Sequence, residues 1–156
     1  MKKLFLSLTF IIQLISTGFS QHFVVDLESS GTTQLTIFSD SIIDLEVGDE
    51  IGIFDENAIT NYNDCTNQIG ELLVGAGIWD GVQLNIVSVG AVDMCAFGGV
   101  QVSGFDAGNP VMVKIWRDSS QMEYESELTW DIGTGNFGDI IQSVSEIALT
   151  DPSACI

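Results

Sequence analysis

Residues Met122-Glu123-Tyr124-Glu125-Ser126-Glu127-Leu128-Thr129-Trp130 alternate, position by position, between a mostly apolar set and an acidic one. Side chains on a β-strand point to opposite faces with a period of two. The stretch therefore reads as a half-buried antiparallel strand with Tyr124, Leu128 and Trp130 turned inward. Immediately before it, residues 118–121 form a loop after the apolar run 110–117. Closing that loop pairs Arg117 with Met122, Ile115 with Tyr124 and Val113 with Ser126 on the buried side. Lys114 then opposes Glu125 and Trp116 opposes Glu123 on the outer side. A lysine across from a glutamate is ordinary, whereas a tryptophan there is not.

The same punctuation runs through the chain. Sixteen glycines and many Asn and Asp residues separate short apolar runs, and no window sustains a 3.6-residue apolar period. Strands are predicted over 22–27, 34–39, 50–55, 71–79, 82–89, 110–117, 122–130 and 140–150. That many strands in one domain imply two packed layers, an all-β, Ig-like antiparallel β-sandwich. Leu73, Gly75, Gly77 and Trp79 share one face of their strand, and two glycines in register leave a strip of bare backbone. Either a neighbouring strand covers that strip, or it is a shallow platform beside Trp79.

Met1-Lys2-Lys3 followed by the apolar run 4–15 and the small residues Gly18 and Ser20 has the form of a signal peptide, with cleavage expected after Ser20. Ser7, Thr9 and Gln13 interrupt the run, which falls short of the roughly 20 apolar residues needed to span a bilayer. The expected organisation is a leader over 1–20 and one β-sandwich domain over 21–156, secreted or held in the cell envelope, with no membrane span in the mature chain. Lys114 and Arg117 then stand against 22 carboxylates, so 2 minus 22 gives a net charge of −20. Repulsion excludes nucleic acid as a partner. Most of the acidity reads as a solvated surface.

Export also decides how the cysteines are read. Cys65, Cys95 and Cys155 make one pair and a remainder in an oxidising compartment. Cys65 and Cys95 lie in polar loops flanking the same central strands, so a disulfide between them is expected, worth about 3 to 4 kcal/mol in the chain-entropy model. Cys155 is left free or joins another chain.

No catalytic residues are assigned. His22, the only histidine, stands next to the expected new N-terminus, where a catalytic base is hard to hold. Calcium is the one cofactor the composition suggests: Asp55, Asn57, Asn61 and Asp64 crowd one stretch with oxygen ligands, although turn chemistry alone favours the same residues. For a sugar, Trp116 with Lys114, Glu123 and Glu125 is the candidate cluster, and Trp79 a second ring. The competing reading places Trp116 beneath a loop or an edge strand.

Residues 47–55 (VGDEIGIFD), 73–81 (LVGAGIWDG), 104–111 (GFDAGNPV) and 114–118 (KIWRD) resemble a β-sandwich module that recurs in secreted, multi-domain proteins of Bacteroidetes-type bacteria. Such modules often stand beside a C-terminal sorting domain for type IX secretion. The sequence after residue 150 reads as no such domain, so attachment by that route is not expected. The resemblance implies a non-catalytic module for extracellular or cell-surface binding and adhesion, with a glycan or a surface protein as partner. The alternative is a calcium-assisted carbohydrate-binding module, and a glycoside hydrolase is a distant third.

Overall fold

The computed structural model describes residues 21–150; the expected leader and Cys155 lie outside the described residues. The chain is all-β. Its strands are β1 (Thr33–Phe38), β2 (Glu50–Ile59), β3 (Ile69–Ile78), β4 (Leu84–Val89), β5 (Val92–Asp93), β6 (Gln101–Val102), β7 (Met112–Arg117), β8 (Met122–Ile132) and β9 (Ile141–Thr150), with one 3-10 turn at Cys95–Phe97. No helix among the described residues is long and apolar enough to cross a membrane.

Seven strands join in a single sheet ordered β3-β2-β7-β8-β9-β1-β4, and β5 with β6 makes a small second one. The β7–β8 hairpin has the register that the alternation predicts: Arg117 opposite Met122, Trp116 opposite Glu123, Ile115 opposite Tyr124 and Lys114 opposite Glu125. Ser126 then donates its hydroxyl to the Val113 carbonyl at 2.6 Å. Within the large sheet every pair is antiparallel but one, since β1 and β9 run parallel.

The two ends of this sheet meet. A Cβ built at Gly75 would stand 2.8 Å from the Ser88 Oγ and 3.0 Å from the Ile86 Cγ2, and one at Gly77 would stand 3.1 Å from both Ile86 and Leu84 side-chain carbons. The glycine strip of β3 is therefore the seat of β4, covered by its aliphatic and hydroxyl side chains. Missing side chains on one strand let the other approach, and the sheet wraps around one core of Phe38, Ile51, Ile53, Val74, Val113, Ile115 and Val144. Burying each such aliphatic side chain contributes about 2 kcal/mol. Trp79 belongs to that core. No platform exists beside it, and Trp79 is withdrawn as a ligand-binding ring because its indole is enclosed.

Residues 22–27 form no strand. The amide that a ladder would use at His22 donates instead to Glu50 Oε1 and Oε2 at 3.0 and 2.8 Å, and the Phe23 amide donates to Oε2 at 2.9 Å. One carboxylate thus anchors two consecutive amides, which satisfies the backbone without a sheet partner. The segment is a strap whose His22 and Phe23 rest on the outer side of β2, β7 and β8, while Leu27 packs against the core.

Candidate functional site

The strap decides what becomes of the Trp116 cluster. Phe23 is buried, edge-on to Phe54 with ring centroids 5.5 Å apart, in the space that Gly52 leaves open. His22 stacks on Trp116 with centroids 3.9 Å apart and planes 6° from parallel, and its Nε2 lies 3.0 Å from Glu123 Oε2. Lys114 donates to Glu71 at 2.9 Å and stands 4.7 Å over the Phe54 ring. Burial works against the charge on Lys114, but the Glu71 hydrogen bond and the fields of Glu123 and Glu125 outweigh it and lift its pKa. Trp116, Lys114, Glu123 and Glu125 are brought together as the sequence predicts. One face of the indole, however, is already occupied by the chain's own histidine.

The calcium candidates fall into two separate hydrogen-bonded groups. Asp55 is fully buried and accepts from the Asp106 amide, the Asn57 amide and the Asn109 side chain at 2.8 to 3.0 Å. Asn61 donates to Asp64 and to Gln101, and Asp64 accepts from the amide and hydroxyl of Thr66. Those Thr66 bonds hold the Asp64 carboxyl below its ordinary pKa. Asp55, Asn57, Asn61 and Asp64 thus belong to two separate networks: both Asp55 oxygens and Asp64 Oδ1 are turned toward protein donors. Among the described residues, no three His, Cys, Asp or Glu side chains stand close enough to share a metal ion.

Gln101, which the sequence did not single out, is the hub of the second group. It is buried, accepts from Asn61 and the Asn67 amide, and donates to Asn67 and to Asp93. Beside it Cys65 and Cys95 form the expected disulfide, with Cα atoms 6.0 Å apart. Together they clamp the β2–β3 loop onto the β5–β6 loop. The Cys95 amide bonded to Asp93 holds that carboxyl below its ordinary pKa.

At the opposite end of the sandwich the start of β2, the end of β3 and the β7–β8 turn enclose a groove of about 510 Å³, lined by Glu46, Val47, Gly48, Asp49, Glu50, Ile78, Asp118 and Ser119. Its walls are tied together. Arg117, 15 % exposed, donates to Asp49 Oδ2 at 2.8 Å and to the Asp44 carbonyl at 2.7 Å, and its Nη1 lies 3.4 Å from Glu46. Asp49, only 2 % exposed, also accepts from the Glu46 amide. The hydrogen bonds it donates to Asp49 hold the guanidinium above its ordinary pKa. Ser119 closes the ring by donating to Glu46 at 2.8 Å. Val47 and Ile78, in contrast, stay 74 % and 51 % exposed.

Such a groove can hold a ligand. The sequence hinted at it only through Val47 and Ile78, apolar residues abutting the turns at Gly48 and at Asp80-Gly81. Set against protein-family models, curated proteins and solved structures, the chain finds no match.

Proposed function

We propose that this chain is a secreted, non-catalytic module that binds a partner outside the cell through the groove between β2, β3 and the β7–β8 turn. One observation carries the reading: Val47 and Ile78 are left bare between walls that Arg117, Asp49, Glu46 and Ser119 hold in place. A prearranged apolar strip costs little to order on binding, which favours recognition. The sugar reading is weaker, because His22 already stacks on Trp116.

Beads carrying the purified chain, offered to arrays of extracellular polypeptides and glycans, test the proposal. Reversible, saturable retention is expected on at least one ligand, with that ligand chemically unaltered. Ile78→Asp is expected to abolish retention without moving the melting temperature. Conversion of a bound ligand, or retention that survives Ile78→Asp, overturns the reading.

A further inference from the structure

We infer that the occupant of the groove is an extended polypeptide segment bearing lysine or arginine, its side-chain stem on Val47 and Ile78 and its cation between Glu46 and Asp118; this rests on the binding role proposed above. Charge balance is the first ground. Glu46, Asp49 and Asp118 line the groove, whereas the carboxylate of Glu50 is taken up by the His22 and Phe23 amides; among the described residues the Arg117 guanidinium offsets one of the three, so three minus one leaves two net negative charges. Arg117 cannot receive an anion, because its donors already face Asp49, Glu46 and the Asp44 carbonyl. A second copy of this chain is disfavoured by the excess of 22 carboxylates over the few cations it carries.

The shape of the ligand follows from the mixture. A small hard cation has no use for Val47 and Ile78, and a neutral apolar ligand leaves the exposed Glu46 and Asp118 unanswered. Long basic side chains answer both, since their methylene stems lie along apolar surface while the charge stays in water. The cavity of about 510 Å³ falls within the size of ordinary ligand clefts. Glu46 is oriented beforehand by Ser119 and Arg117, so its carboxylate adds charge without the entropy cost of being fixed on binding.

The test is fluorescence anisotropy with a labelled peptide of alternating lysine and valine, against glutamate–valine and serine–valine peptides of equal length. The lysine peptide is expected to bind, more weakly as salt is raised, and the glutamate peptide not at all. Diffuse attraction to an acidic protein is separated by Val47→Ser, which keeps every charge. It is expected to weaken binding roughly fivefold, whereas Asp118→Asn weakens it to a similar extent and flattens the salt dependence. Equal binding of the serine and lysine peptides in the groove overturns the basic occupant and leaves the binding role standing. Lysine-peptide affinity unmoved by Val47→Ser overturns the occupant's place in the groove. Binding of no peptide, together with no retention on the arrays, removes both.

Discussion

The His22 imidazole lies flat on the Trp116 indole, 3.9 Å between centroids and 6° between planes, while the adjoining Phe23 ring is buried against Phe54. A segment with no strand of its own thereby covers the Trp116 and Phe54 rings on the outer side of the sheet. Phe23→Ala is expected to cost about 3 kcal/mol, as for other buried phenylalanines, read from denaturant unfolding. His22→Ala is expected to cost about 1 kcal/mol or less and to raise quenching of tryptophan fluorescence by acrylamide. Quenching unchanged in both variants contradicts the cover.

Arg117 and Asp49 form an ion pair with little contact with water, at 2.8 Å. Removing one partner strands the other charge, so Arg117→Ala is expected to destabilise the fold by about 3 kcal/mol. The loss should also loosen the groove, because the same guanidinium reaches Glu46 and the Asp44 carbonyl. A cost under about 1 kcal/mol, the range of exposed pairs, shows that the pair is solvated.

Acid should weaken the clamp. Asp64 and Asp93 both have pKa values below the ordinary 3.8, the first through Thr66 and the second through the Cys95 amide. A depressed carboxyl contributes stability that is complete above its unfolded pKa and is lost as pH falls through the folded value. Melting temperature is therefore expected to drop below about pH 4, and to drop less steeply in Asp64→Asn and Asp93→Asn. Parallel curves for wild type and both variants contradict the assignment.

Inside the sandwich, the Thr36 hydroxyl is buried without a protein partner, on the strand next to β4 and β9. Replacing an unpaired hydroxyl by a methyl of the same shape removes a desolvation cost, so Thr36→Val is expected to stabilise by about 1 kcal/mol. Thermal unfolding reads the sign directly. Destabilisation contradicts the unpaired state of the hydroxyl.

What the sequence disclosed was what period two can carry. The register of β7 and β8, from Lys114 to Glu125, follows from alternation and a single turn, and the Cys65–Cys95 bond follows from the loops that hold the two cysteines. β5 and β6 are too short to show any period. The strap over 22–27 looked like a strand because His22 to Leu27 has strand composition, but its first amides are taken by Glu50 rather than by a ladder. The parallel pairing of β1 with β9 joins strands about a hundred residues apart, beyond the reach of local pattern. The groove was hidden for the same reason, since Val47, Ile78 and Asp118 meet only once β2 has paired with β3 and with β7. Asp55 and Asn61 were legible as turn residues; that their oxygens face protein donors depends on Asn109 and Gln101, far along the chain.

Amide chemical shifts of the isotopically labelled chain, followed while the lysine–valine peptide is added, test the central claim most directly. Binding through the groove predicts that saturable shifts cluster at Val47, Gly48, Ile78 and Ser119, with Trp116 and the exposed Phe97 unmoved. Shifts centred on Trp116 or Phe97, or spread evenly along the acidic face of β8, would contradict it.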